Sequence, residues 1–339
     1  MILDTLETLC CLSGVTGRED EVRDYILERV MPFADEIKTD AMGNLIVFKK
    51  GARAPAKRVM LAAHMDEVGL IVTDITDEGF LRFGMCGGID RRVLYGKRVF
   101  IGEERVPGVI GAKPIHLTDA DERKHLPKLT DMYIDIGAPD RAAAEARVSL
   151  GDIAVFDDSV VRFGAGFIKA KAIDDRCGCA SMVELIESRL PVDCWFAFTT
   201  QEEIGGRGAA VAARSVSPDI ALILEGTTAA DQAGVKGADR VCCLGGGVVL
   251  PYMDRTTVYD RELYKELGRL AHENGVKWQT KTRIAGGTDA SSIQRSGCGV
   301  RTAAISVPIR SIHSPASVAY LKECEDQLRL AELFLKNIE

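Results

Sequence analysis

Three short stretches pair ionisable side chains in a way that suits chemistry: His64 with Asp66, Asp174 with Asp175, and Glu202 with Glu203. Glu225 and His313 stand further along the chain. Carboxylate oxygens and imidazole nitrogens are good ligands for zinc, cobalt or manganese. Crowding so many acids together without a cation costs repulsion and desolvation. The set therefore predicts two divalent metal ions per subunit, zinc being the first expectation and cobalt or manganese the others. In His64-Met65-Asp66 the aspartate can accept the second imidazole proton, which fixes the ring and strengthens it as a ligand. In Thr200-Gln201-Glu202-Glu203 the adjacent acids can divide the work. Glu203 is assigned as a ligand and Glu202 as the general base, taking a proton from a water bridged by metals about 3.5–4 Å apart.

These residues need elements that deliver them to one rim. The apolar run 58–64 reads as a central strand buried on both faces, with His64 at its end. Beyond residue 165, strand and helix patterns alternate: helices over 176–189 and 207–215, strands over 194–200, 220–224 and 302–307. Further helices are expected over 2–12, 19–30, 260–274 and 316–338, and a strand pair around Ile37 and 45–48, joined by the turn 40–44. This is an α/β pattern, a mixed and largely parallel sheet covered by helices on both faces. Each candidate residue then falls at or just past a strand end, or on a loop leading from one, where open α/β sheets bind ligands. Between Leu70 and Phe163 the texture changes to short β-type runs broken by Gly, Pro and Asp. The expected organisation is a discontinuous catalytic domain, 1–69 with 164–339, interrupted by a β-rich insertion, 70–163.

With 339 residues, 46% of them apolar, the chain can bury a sizeable core. Its net charge is −7 and its basic residues are dispersed, which argues against nucleic acid as a partner. No apolar run is long enough for a bilayer, and the stretch from Met1 to Glu7 carries acid where an export signal needs Lys or Arg. Ten cysteines include the neighbours Cys10-Cys11 and Cys242-Cys243, which bridge poorly, so a reducing cytoplasm is expected. Cys177 and Cys179 point to different helix faces and read as small buried residues rather than zinc thiolates.

Five motifs in order carry a resemblance: Ala63-His64-Met65-Asp66-Glu67, Ala172-Ile173-Asp174-Asp175-Arg176, Thr200-Gln201-Glu202-Glu203-Ile204-Gly205, Gly286-Gly287-Thr288-Asp289-Ala290 and Ser311-Ile312-His313-Ser314-Pro315. The chain resembles metallopeptidase family forty-two, the dinuclear aminopeptidases that assemble as tetrahedral shells, from first helix to last. The resemblance implies a zinc-peptidase/phosphorylase-like sheet with an inserted small β-barrel-like domain used for subunit contacts. It also implies short peptides as substrates, and dimers that build a dodecamer. His64 would bind one metal, Asp174 bridge both, Glu203 and Glu225 complete the sites, and His313 bind the second metal. Asp66 would orient His64, Asp175 would support Asp174 through an unusual local backbone, and Glu202 would shuttle the proton. Glu225 departs from the Asp such enzymes often carry, with a side chain still long enough to ligate.

Other readings are a dinuclear deacylase or carboxypeptidase, a glycan hydrolase as some relatives are labelled, and a non-catalytic metal-dependent scaffold. A glycan hydrolase needs two carboxyls and no metal, which leaves the histidines without a purpose. The 286–289 stretch suits either a turn with a helix N-cap or a substrate contact. His116 lies in the inserted block as a surface or packing residue, His125 and His272 read as solvated, and Arg207, Arg283 and Arg310 are unassigned.

Overall fold

In the computed structural model, which describes residues 2–338, every position of Val59–His64 is buried and alternate side chains enter different cores. Met1, at the head of the acidic N-terminal stretch, and Glu339 lie outside the described residues. Leu61 and Ala63 join Phe196, Phe198, Leu222 and Leu224 in a core shared with helices Ile2–Cys11, Ile173–Glu187 and Leu321–Asn337. Met60 and Ala62 face the other way with Ala197, Ala221 and Ile223, against helices Arg207–Val216 and Ala290–Gln294. Period-two side chains buried on both faces are what a sheet between two helix layers requires.

Among the described residues eleven strands form one mixed sheet. Its centre is parallel: Cys194–Thr199 pairs with Val59–His64, which pairs with Ile220–Thr228, which pairs with Arg301–Arg310. Antiparallel strands flank it, Leu45–Lys49 and Glu36–Thr39 on one side, Ser317–Tyr320, Phe167–Ala170 and Val161–Phe163 on the other. The expected mixed, largely parallel sheet covered by helices is the fold observed. A second sheet closes on itself as an antiparallel barrel of six strands, from Gly69–Ile75 to Ile153–Phe156, around its own apolar core. Among the described residues no helix is long and apolar enough to cross a membrane.

Local boundaries differ from the sequence reading in two places that matter. The strand expected over 220–224 continues to Thr228, so Glu225 lies inside a strand opposite Ser306 rather than just past its end. The final helix begins at Leu321, because Ser317–Tyr320 is taken up as a strand between Ile309–Arg310 and Phe167–Ala170. Pairing on both sides overrides a local helical spacing.

Candidate metal centre and active site

Parallel register brings the candidate residues together. His64 ends its strand opposite Thr199, so the chain leaving Thr199 carries Glu202 and Glu203 to the same rim. Glu225 arrives on the next strand, and Asp174 from the first turn of helix Ile173–Glu187, where Asp174 and Asp175 share a cis peptide bond and non-helical angles. Gly226 makes room: a Cβ there would lie 2.7 Å from Asp174 Oδ1. His313 sits in the turn after Arg301–Arg310 with φ 57°.

The outcome is two adjoining sets joined by one aspartate. His64 Nε2 is 3.4 Å from Asp174 Oδ1 and 3.3 Å from Glu225 Oε1. His313 Nε2 is 3.6 Å from Asp174 Oδ2 and 3.2 Å from Glu203 Oε2. Both rings face the cluster through Nε2 because Nδ1 is engaged elsewhere. His64 Nδ1 donates to the Asp66 carbonyl at 3.1 Å, with Asp66 Oδ1 at 3.4 Å, and His313 Nδ1 donates to the Gly88 carbonyl at 2.9 Å. A carbonyl oxygen only accepts, so Nδ1 carries a proton, and Nε2 is the nitrogen that would ligate a cation on giving up its own.

Asp66 flanks the His64 ring, its backbone carbonyl rather than its carboxylate being the nearer group. Its carboxylate has further partners: it accepts the backbone N–H of Glu202 at 2.9 Å and of Glu203 at 3.1 Å, and the Thr16 hydroxyl at 2.7 Å. Asp175 lies near His64 and Glu225 as well, within reach of a shared ion. Both its oxygens already accept backbone N–H groups, from His64 at 3.2 Å and Gly178 at 3.0 Å, whereas Asp174 Oδ1 accepts none.

Three observations fit this donor set to divalent cations. Asp174 Oδ1 is buried with no hydrogen-bond partner. Ligand atoms of His64, Asp174 and Glu203 lie within 4.8 Å of one another. Without a cation the charges are also badly matched. Burial and neighbouring Asp175 hold Glu225 well above the usual carboxylate range, and burial with the Asp174 charge pushes Glu203 up to about 7. Burial works against the charged form of His64, yet the surrounding Glu225, Asp174 and Asp66 drive it well above 6.5. Glu203 and Glu225 are thus acids short of positive charge, while, despite burial, the His313 and His64 rings hold Asp174 below the usual carboxylate range.

Beside the cluster opens a pocket of about 210 Å³. The metal and proton candidates His64, Asp174, Glu202, Glu203, Glu225 and His313 line it, together with Val241, Lys281, Ala285 and Ile312. Of the two readings of the 286–289 stretch, the side-chain N-cap is not what the structure has. Gly286, Gly287 and Thr288 line the pocket, while Asp289 precedes helix Ala290–Gln294 and its side chain leaves that helix to accept from Thr199 Oγ1 at 2.5 Å. Sequence reasoning passed over the Gly88 carbonyl and Lys281, and did not see the bond between Asp289 and Thr199. His116, His125 and His272 lie outside the pocket, and the first is exposed in the barrel segment Ile115–Leu117.

Residues 43–330 match the model of the M42 glutamyl aminopeptidase family. The chain is 39% identical to a putative aminopeptidase of Acetivibrio thermocellus, over 97% of each chain. It is 31% identical to the glutamyl aminopeptidase of Lactococcus lactis, covering 99% of this chain and 95% of that one. Among solved structures it superposes on the TET1 peptidase of Pyrococcus horikoshii, which can assemble into a tetrahedron or a large octahedral shell, with TM-score 0.86 at 35% identity. That match covers 99% of this chain and 100% of the other. The chain belongs to the M42 peptidase family and is a hydrolase of the aminopeptidase class.

Proposed function

We propose that this chain removes the N-terminal residue of short peptides, using two divalent cations held by His64, Asp174, Glu203, Glu225 and His313. The observation that carries the reading is the position of Asp174, with one oxygen toward His64 and the other toward His313. Such cations would polarise the scissile carbonyl and lower the pKa of a water. Glu202, which lines the same pocket, takes the proton from the attacking water and gives it to the departing amine. Burial and the charges of Asp289, Glu203 and Asp66 hold its carboxyl well above the usual range, suiting a group that must carry a proton between steps.

The pocket is sized for one side chain, that of the residue being removed. Lys281 is the one lysine or arginine in its lining, and among the described residues it has no carboxylate partner, only the Ala285 carbonyl at 3.3 Å. An unpaired ammonium there favours an acidic N-terminal residue. The inserted block, expected over 70–163 but with its barrel ending at Phe156 and Val161–Phe163 in the main sheet, serves self-association, dimers building a dodecamer, a reading supported by the shells of the TET1 relative. Ten free cysteines suit a reducing cytoplasm. The function is tested with free and N-acetylated aminoacyl p-nitroanilides: cleavage restricted to free-amine substrates supports it, and equal cleavage of acetylated ones refutes it.

A further inference from the structure

Four consecutive backbone N–H groups in the loop that carries Glu202 and Glu203 are held by side chains from distant parts of the chain. Thr200 donates to Asn44 Oδ1 at 2.9 Å, Gln201 to Glu19 Oε1 at 3.1 Å, and Glu202 and Glu203 to the Asp66 carboxylate. Backbone carbonyls of the loop are also engaged: Gly208 N–H donates to Thr200 O, and Gly205 N–H to Glu202 O. Gln201, immediately before Glu202, has φ 56°, a left-handed backbone that a residue with a Cβ keeps only when its surroundings impose it.

Glu19 is placed to impose it. It is 5% exposed and precedes helix Asp20–Val30, yet its side chain makes no bond to the N-terminus of that helix. The residue at this position commonly caps its own helix. Instead a single oxygen, Oε1, accepts from Gly17 N–H at 2.7 Å and from Gln201 N–H, 182 residues away. We propose that Glu19 is a positioning residue for catalysis: it fixes the left-handed turn at Gln201 and so aims the Glu202 carboxylate into the pocket. It touches neither substrate nor cation. The proposal rests on Glu202 being the proton carrier, since only then does its aim govern turnover.

The test compares Glu19→Ala and Glu19→Gln with the wild type in metal-loaded full-length protein. Glutamine keeps the one oxygen that both N–H groups use; alanine removes it. In Glu19→Ala, kcat falls roughly 10- to 100-fold, the scale on which small misplacements act. KM and metal content per chain stay near wild type, and amide hydrogen exchange quickens at residues 200–203 while the remaining core keeps its protection. Glu19→Gln keeps most of the turnover and the slow exchange. Unchanged kcat in Glu19→Ala overturns the proposal, as does loss of metal or core protection in step with kcat, which would make Glu19 a structural residue. If the wild type itself cleaves no free-amine substrate, or Glu202→Gln is fully active, the functional reading fails instead.

Discussion

Asp66 Oδ1 accepts the backbone N–H of Glu202 at 2.9 Å, across 136 residues of sequence. The same side chain holds Glu203 through Oδ2, and its carbonyl receives the His64 ring proton. One residue therefore couples the histidine on one strand to both acids leaving the next. Burial opposes the charge on Asp66, but the His64 ring, the Glu202 N–H and the Thr16 hydroxyl together hold its carboxyl below the ordinary value, so it acts as an ionised acceptor.

Asp66→Ala strands the buried Thr16 hydroxyl and the half-buried N–H groups of Glu202 and Glu203, a buried donor left unsatisfied costing about 1–3 kcal/mol. The expected result is a clear drop in the urea midpoint together with loss of turnover. Asp66→Asn replaces one acceptor oxygen by an NH₂ that faces an N–H, so it should fall between alanine and wild type. An Asp66→Ala protein as stable and active as the wild type would remove Asp66 from the account.

Lys281→Glu reverses the charge of a residue that lines the pocket. Glutamyl p-nitroanilide should lose at least about tenfold in kcat/KM while the lysyl substrate gains, because one charge-assisted contact is worth about 1.5–3 kcal/mol. A preference for leucyl substrates that does not respond to the substitution would show that the pocket reads shape rather than charge.

Glu323 offers a pH test away from the centre. Burial pushes it up to about 8, although the Gly247 and Gly245 N–H groups favour its ionised form, and Oε2 has no hydrogen-bond partner. The folded protein therefore binds this proton more tightly than the unfolded chain, whose value is near 4.5. The resulting stability is present below 4.5 and is lost as pH rises through 8. Metal-loaded wild type should lose more stability between about pH 6 and about pH 9 than Glu323→Gln does, since glutamine keeps the acceptor for Gly247 and cannot ionise. Identical urea midpoints for the two proteins at both pH values would contradict this.

That the five groups assigned to the cations lie near one another was legible for those carried by parallel strands, which deliver their ends to one rim; Asp174 comes instead from the first turn of a helix. Placement of Glu225 was off by a strand end only, since four further residues of that strand continue past Leu224. What holds the acids in place was not legible. Glu19, Asn44 and the Gly88 carbonyl act across 182, 156 and 225 residues, and the Gly88 group belongs to the backbone of the segment leaving barrel strand Leu81–Cys86. A backbone acceptor has no signature in residue type. Nor does an acid such as Asp289, which looks like a helix start until Thr199 is found against it.

The most direct test of the central claim is metal content and turnover measured together on Glu202→Gln. Glutamine at this position leaves His64, Asp174, Glu203, Glu225 and His313 intact, so each chain should still bind two ions by elemental analysis. Turnover of free-amine substrates should fall by about 10²–10⁴-fold. Near-normal turnover with two ions bound would show that another group carries the proton, and loss of the ions would show that Glu202 belongs to the ligand set.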